Sequence, residues 1–123
     1  MSKKPKKPDG VVDILKDWDD KEIFLTESVF KIHIANAAHD EAYEFYETLK
    51  ANIAIPESVK ISKNRADTKI ANILLVNRKH NYLRVVIRYA TVFDKILGRR
   101  NYIVTFYGAD EPIDGEDICF KKH

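Results

Sequence analysis

The sequence predicts an α+β fold, in which N-terminal helices pack on a four-stranded antiparallel β-sheet. Apolar residues between Asn36 and Ile55 recur with a helical period, and glutamates occupy the other side. After Pro56 apolar and polar residues alternate with a period of two, as in strands with one buried face. Charge divides at the same point. Residues 58–102 hold 11 basic and 2 acidic residues, a net charge of +9, and residues 9–57 hold 4 basic and 12 acidic residues, a net charge of −8.

The elements before Pro56 are predicted to be mainly helical. Residues 11–18 have apolar side chains at helical spacing, which predicts a short helix or docking segment. Residues 22–26 follow as a short strand candidate. Thr26 then has the position of a helix N-cap, and a second start at Asn36 leads into the long helix that Pro56 ends.

Four strands are predicted after the long helix. They cover residues 59–61, 70–77, 82–90 and 102–107, with a helical turn at 93–97 between the last two. In the third strand, alternate residues are apolar, so this strand has one face toward the core. Arg84 and Arg88 leave the opposite face about 13 Å apart and form a basic stripe.

Composition excludes several classes of protein. The chain of 123 residues fits a single domain, which we assign to residues 11–123, behind a basic, proline-broken arm at residues 1–10 that we expect to be disordered. Cys119 is the single cysteine, so no intrachain disulfide can form, and this favours a cytoplasmic protein. No apolar run approaches the roughly 18 residues that cross a bilayer. We therefore expect no membrane partner. Zinc-ligand spacing and a glycine-rich phosphate loop are both missing from the sequence, so we expect no metal and no cofactor.

Two histidines are candidates for proton transfer. His33 and His39 are six residues apart, and a break near Asn36 would bring both to one edge of the helical region. A neutral imidazole accepts a proton near pH 7 and its protonated form donates one, which suits RNA cleavage by 2′-hydroxyl attack. The structural alternative is that His39 is only a first-turn residue and His33 is half-buried beside Phe30.

Basic residues of the strand region are candidates for phosphate binding. The guanidiniums of Arg84 and Arg88 could bind successive phosphates or stabilise a phosphorane, or they could pair with helix glutamates instead. The hydroxyl of Thr105, at a sheet rim, could hydrogen-bond a phosphate. Further candidate contacts are Lys60, Lys63, Arg78 and Lys79. Water-exposed strand faces also carry lysine and arginine, so a plain solvated face is the alternative.

Several short motifs occur in a recognisable order between residues 23 and 109. A strand leads into a helix with the pair His33-Ile34, and a second helix starts at His39-Asp40-Glu41. An Ile-x-x-Pro-Glu-x-Val turn follows at residues 53–59, and the last clear strand contains Val-Thr-Phe-Tyr at residues 104–107. This order resembles the phage-associated nuclease-like domains of the barnase–EndoU–colicin–RelE superfamily. Asp40 stands where that family's pattern has proline.

The resemblance implies a metal-independent RNA endonuclease from a toxin, phage or mobile element. His39 and His33 would transfer protons, and Thr105 would orient the phosphate. Arg84 and Arg88 would bind that phosphate, and the product would carry a 2′,3′-cyclic phosphate. The substrate would be an RNA such as tRNA or rRNA, and an antitoxin or immunity protein would be the protein partner. A cytoplasmic location includes that of a delivered toxin domain.

Two other classes of function fit the same sequence. The first is a non-catalytic module that binds nucleic acid, or an acidic protein, on the basic sheet. The second is a phage accessory or immunity-type protein that binds a basic partner through the acidic helical half. RNA breakdown without added metal would indicate the nuclease, and salt-sensitive binding without cleavage would indicate the module.

Overall fold

A computed structural model describes residues 10–36, 39–75, 81–111 and 116–121, and within these ranges residues 32–36, 39–43 and 116–121 are described by their backbone only. The described strands are β1 (Val11–Lys16), β2 (Glu22–Thr26), β3 (Ser58–Ile61), β4 (Thr68–Leu74), β5 (Tyr82–Arg88), β6 (Tyr102–Ala109) and β7 (Glu116–Lys121). The described helices are α1 (Glu27–Asn36), α2 (His39–Asn52) and α3 (Val92–Ile96).

All the described strands belong to one sheet, in the order β1-β2-β6-β5-β4-β3-β7. The neighbours pair antiparallel except β2 and β6, which are parallel. The predicted α+β class is confirmed. The predicted four-stranded antiparallel sheet behind N-terminal helices is wrong, because the sheet is mixed and has seven strands among the described residues. Among the described residues, which begin at Gly10, a β-hairpin and not a helix comes first.

The helix predicted at residues 11–18 is wrong, since this segment forms β1 and the start of a turn. Four of its apolar residues fit helical spacing, but β1 pairs with β2 along its length. The turn between them is closed by the buried carboxylate of Asp17, whose Oδ1 accepts hydrogen bonds from the backbone N–H groups of Asp19 and Lys21, both at 2.8 Å. Asp20 has a φ of 65°, a left-handed conformation that aspartate tolerates in turns. Pairing and turn chemistry thus override a short helical pattern.

The core lies between one face of the sheet and the helices α1 and α2. Phe45 and Leu49 of α2 belong to the same buried cluster as Leu83, Val85 and Ile87 of β5. Successive side chains of a strand point to opposite faces. The residues between these three therefore face away from α1 and α2, and the predicted alternation of a core face with a basic face in this strand is confirmed.

An irregularity in β6 determines which of its side chains lie on the sheet face away from α1 and α2, which we call the second face. Val86 pairs with Thr105, but Ile87 pairs with Ile103, so β6 contains one extra residue at a β-bulge. The bulge lets both Ile103 and Phe106 enter the core. As a result, Thr105 lies opposite Val86 on the face away from the helices.

The remaining predicted elements are confirmed, with one addition. Strands β3 to β6 match the four predicted strands, and α3 matches the predicted helical turn. The addition is β7, which pairs antiparallel with β3 at the edge of the sheet. None of the helices in the described ranges has the length and apolar character needed to cross a bilayer.

Candidate nucleic-acid interface

Two arginine–tyrosine pairs lie on the sheet face that points away from α1 and α2. Arg84 of β5 is opposite Tyr107 of β6, and its guanidinium carbon is 5.8 Å from the centre of the tyrosine ring. Arg88 is opposite Tyr102, with the corresponding distance at 5.7 Å, and its Nη1 donates a hydrogen bond to Tyr102 Oη at 2.9 Å. Each pair holds a planar cation against an aromatic ring. We call these four residues the arginine–tyrosine strip.

Both arginines of the strip have an unused donor. The Nε atoms of Arg84 and Arg88 are buried and have no hydrogen-bond partner among the described residues. Arg84 also donates from Nη2 to the backbone carbonyl of Glu111 at 2.7 Å, which fixes the far end of its guanidinium. A buried N–H without an acceptor costs free energy. A side-chain movement that brings Nε to an anionic oxygen would therefore be favourable.

The sheet restricts the strip to β5 and β6. Thr105 lies between the two pairs, on the same face, and is half-buried. On the neighbouring strand β4, Asn72 is buried and its Nδ2 donates to Ser58 Oγ of β3 at 3.1 Å. Ile70 beside it is also buried. This part of the second face is therefore inaccessible, and on that face the cation–aromatic pairs among the described residues are those of the strip.

A cleft of about 270 Å³ continues the strip at its Arg88 end. Its charged lining residues are Arg65, Arg88, Arg99, Arg100, Asp67 and Asp94. Four positive and two negative side chains leave a net charge of +2. We call this the arginine cleft, and Arg88 and Tyr102 belong to both the cleft and the strip.

Each of the two carboxylates in the arginine cleft forms an ion pair with an arginine. Arg65 binds Asp67 in a bidentate manner, from Nε to Oδ1 and from Nη2 to Oδ2, both at 3.1 Å. Arg99 Nη1 donates to Asp94 Oδ1 at 3.1 Å. In the described part of the chain, Arg88 and Arg100 form no ion pair with a carboxylate, although Arg88 is close enough to Asp67 to help lower the pKa of that carboxyl. These two guanidiniums carry the charge that is left for an anionic ligand.

Hydrogen bonds keep both carboxylates of the cleft ionised. The hydrogen bond from Arg65, assisted by the Thr68 hydroxyl, lowers the pKa of Asp67 to about 2. The backbone N–H and hydroxyl of Thr91, together with Arg99, also lower the pKa of Asp94. Both groups are negative at neutral pH, so the net charge of the cleft does not change there. Carboxylates with such low pKa values are also weak general bases.

The other predicted phosphate contacts lie at various distances from the strip. Lys60 of β3 pairs with Ile70, which pairs with Val86, so Lys60 is on the same face two strands from β5. Lys63 is exposed in the connection from β3 to β4. Arg78 and Lys79 lie outside the described residues.

The predicted catalytic residues are not gathered on one face of the sheet. His33 lies in α1, and His39 is the first residue of α2. These helices pack on the core face, whereas Arg88 and Thr105 lie on the opposite face. The physical reason is the strand alternation, which buries Leu83, Val85 and Ile87 under the helices and turns their neighbours away. The side chains of both histidines lie outside the described part of the structure.

Sequence reasoning missed the aromatic half of the strip and most of the cleft. Tyr107 is 37% exposed because the β-bulge changes the alternation after Ile103. The apolar character of Phe106, between Thr105 and Tyr107, was the available signal for this change. The cleft combines Arg65, Arg88 and Arg99 from three separate segments, and no local pattern indicates that these meet.

No group of three or more His, Cys, Asp or Glu side chains in the described ranges is arranged to hold a metal ion. The chain matches no protein-family model, and neither a curated protein nor a solved structure is significantly similar to it.

Proposed function

We propose that the protein is a non-catalytic module that binds single-stranded RNA on the arginine–tyrosine strip. The observation that carries the proposal is the pairing of Arg84 with Tyr107 and of Arg88 with Tyr102 on a sheet face that α1 and α2 leave uncovered. Cations that bind phosphates and aromatic rings that stack on bases are the two components of single-strand recognition.

The strip supplies both components in register. Arg84 and Arg88 are about 13 Å apart along β5, and each has a tyrosine directly across on β6. An extended strand of RNA that follows the strip would meet a cation and a ring at each end. Stacking of a base on an aromatic side chain contributes about 1–3 kcal/mol. The buried Nε donors of both arginines would gain acceptors from the phosphates.

The arginine cleft extends the same surface. Arg88 lines the cleft and also belongs to the strip. An RNA strand bound along the strip could therefore place its next phosphate in the cleft. Arg100 adds a second cation without a carboxylate partner among the described residues. The distribution of charge along the chain agrees with this, because residues 58–102 provide every cation named in the strip and the arginine cleft.

The placement of the helices favours binding over acid–base cleavage. A general base must come within about 2.6–3.2 Å of the proton that it removes. The helices that carry His33 and His39 pack on the other face of the sheet, and the carboxylates nearest to Arg88 are held in ion pairs. These observations support an RNA-binding surface with no histidine beside it among the side chains that the structure describes.

The test is the affinity for a fluorescein-labelled single-stranded RNA, measured by fluorescence anisotropy. The variant R84A/R88A removes both strip cations, and the matched control K16A/K31A removes two exposed cations elsewhere. We expect the first variant to lose most of the affinity and the control to keep it. Equal loss in both variants would show that binding follows net charge only, and would contradict the proposal.

Cleavage is tested with the same RNA in EDTA, beside the variant H39A. We expect the RNA to stay intact with both proteins. Specific fragments from the parent protein and none from H39A would instead establish the metal-free nuclease that the sequence resemblance implies.

A further inference from the structure

The short helix α3 carries a patch of large apolar side chains that the fold does not bury. Val92 is 77% exposed, Phe93 67%, Ile96 76% and, just after the helix, Leu97 53%. At 100° per residue these four fall within about 140° of arc, on one side of the helix. We call them the α3 patch. A cluster of this kind on a water-soluble surface marks an interaction site.

Polar contacts, and not apolar packing, hold α3 in shape. Thr91 and Asp94 form a capping box at its start, with Thr91 Oγ1 accepting from the Asp94 N–H at 3.0 Å. At its end Gly98 has a φ of 82°, and the Arg99 N–H donates to the Asp94 carbonyl at 2.8 Å. The Arg99 side chain adds an ion pair to Asp94. A five-residue helix is too short to be stable without such support.

Cations surround the α3 patch. Lys95 lies on the polar side of the helix, and Arg99 and Arg100 follow its end. Lys95, Arg99 and Arg100 also line a second cleft of about 330 Å³, together with Lys21. Asp94 is the acidic residue of this segment, and Arg99 neutralises it. The exposed apolar side chains with cations next to them are complementary to a partner surface that has negatively charged groups above an apolar layer.

We propose that the α3 patch docks the protein on the surface of an anionic phospholipid bilayer. Phe93 and Ile96 would enter the boundary between headgroups and acyl chains. Lys95, Arg99 and Arg100 would contact the lipid phosphates and carboxylates.

Other occupants fit the α3 patch less well. A second copy of the chain would bring Lys95, Arg99 and Arg100 against the same cations, and like charges across an interface repel. A stable protein partner usually covers about 800 Å² on each side. A single five-residue helix is a convex knob, which supplies only part of such an area. A bilayer needs neither a complementary groove nor a large flat face.

This proposal departs from the sequence-based expectation of no membrane partner. That expectation depended on the lack of a long apolar run, and docking on a bilayer surface needs only a short apolar segment with adjacent cations. The four apolar residues of the α3 patch belong to neither the strip nor the arginine cleft, whereas Arg99 and Arg100 beside the patch also line that cleft. The test therefore changes only the apolar residues.

The test is co-sedimentation with vesicles of phosphatidylcholine, with and without phosphatidylserine. The variant F93S/I96S removes the centre of the patch. The matched control I55S/L74S removes two other exposed apolar side chains, which are 51% and 50% exposed. None of these side chains is buried, so all variants should keep the parent circular dichroism spectrum and RNA affinity.

We expect the parent protein and the control to bind vesicles that contain phosphatidylserine, and F93S/I96S to bind at least about 10-fold more weakly. Binding to pure phosphatidylcholine should be weaker by roughly 30-fold, since Lys95 and Arg100, whose charges are not balanced by Asp94, each lose about 1 kcal/mol of attraction to anionic lipid. If the parent protein does not sediment with either vesicle, the proposal is overturned. Equal binding of F93S/I96S and the parent protein would also overturn it, since attraction would then need no apolar patch.

Discussion

Arg88 is the residue on which the strip and the arginine cleft meet. Its Nη1 donates to Tyr102 Oη at 2.9 Å, its Nε is buried without a partner among the described residues, and its side chain lines the cleft. A guanidinium presents several donors in one plane, so it can keep the tyrosine and still bind a phosphate. A lysine ammonium cannot reproduce this geometry.

We predict that R88A weakens RNA binding by roughly 10- to 100-fold, because a hydrogen-bonded charged contact contributes about 1.5–3 kcal/mol. R88K should recover less than half of the lost binding free energy, since it restores the charge without the planar donor set. Anisotropy titrations at one fixed salt concentration measure both values. An R88K protein that binds as well as the parent would show that charge is sufficient at this position.

Tyr89 contributes to the stability of the fold through a hydrogen bond to the buried Asp17. Its hydroxyl donates to Asp17 Oδ2 at 2.7 Å, which ties the end of β5 to the turn between β1 and β2. Burial, together with this hydrogen bond, raises the pKa of Tyr89. Its ring also makes an edge contact with Trp18.

Y89F should lower the free energy of unfolding by about 1–3 kcal/mol, because the buried Asp17 carboxylate loses a donor. Y82F removes the hydroxyl of a half-buried tyrosine that forms no hydrogen bond within the described ranges, and it serves as the control, with an expected loss below about 1 kcal/mol. Urea denaturation of the three proteins gives the values. A Y89F protein as stable as Y82F would mean that the Asp17 network adds little to the fold.

At the scale of elements, α2 is fixed to β1 by one polar contact beside the core. Tyr46 Oη donates to Asp13 Oδ2 at 2.8 Å, and the Tyr46 ring makes an edge contact with Phe30 of α1 at a centroid distance of 5.1 Å. Burial and the hydrogen bond to Asp13 raise the pKa of Tyr46 to about 12. An unfolded tyrosine has a pKa near 10.

Because the folded pKa of Tyr46 is above the unfolded value, its contribution to stability is complete below pH 10 and is lost as the pH rises through about 12. We predict that Y46F loses less stability than the parent protein between these two pH values. Denaturation series at several alkaline pH values check this. Parallel losses in the two proteins would show that Tyr46 does not titrate differently on folding.

Helices and strands with a regular apolar pattern over many residues were predictable from the sequence. Elements whose structure depends on pairing with a strand elsewhere in the chain were not. The helix that ends before Pro56 and the strand that holds Arg84 and Arg88 carry their burial pattern locally. Residues 11–18 fit a helical pattern over too few turns, and the pairing with β2 decided their structure. The bulge in β6 also depends on its partner strand, so apart from the apolar Phe106 nothing in the local pattern indicated the exposure of Tyr107.

The candidate site divides in the same way. Arg84 and Arg88 were predicted to share a face because alternation within one strand fixes this. The side of the sheet on which α1 and α2 pack depends on the whole topology, so the separation of His33 and His39 from the arginines was not visible in the sequence.

At the scale of the whole molecule, charge is sorted by position in the chain, with −8 on residues 9–57 and +9 on residues 58–102. The basic region contains both arginines of the strip, all charged residues of the arginine cleft, and Lys95, Arg99 and Arg100 beside the α3 patch. The acidic region contains the strands β1 and β2 and the helices α1 and α2. A polyanion is therefore attracted to one part of the molecule and repelled from the other, which orients its approach.

The salt dependence of RNA binding should reflect a small number of phosphate contacts. If Arg84, Arg88 and Arg100 each neutralise one phosphate, the logarithm of the affinity should fall with the logarithm of the salt concentration with a slope of about −2. R84A/R88A removes two of these contacts, each of which contributes about −0.7 to the slope, so its slope should be closer to zero by about 1.4. A slope that is the same in this variant would place the phosphate contacts elsewhere.

The central claim is that RNA binds the sheet face opposite the helices. The most direct test is an NMR titration of the ¹⁵N-labelled protein with a short single-stranded RNA, with resonances followed residue by residue. We predict the largest shifts for Arg84, Arg88, Tyr102 and Tyr107, with smaller ones at Arg65 and Arg100. Shifts concentrated on α1 and α2, with β5 and β6 unchanged, would contradict the account.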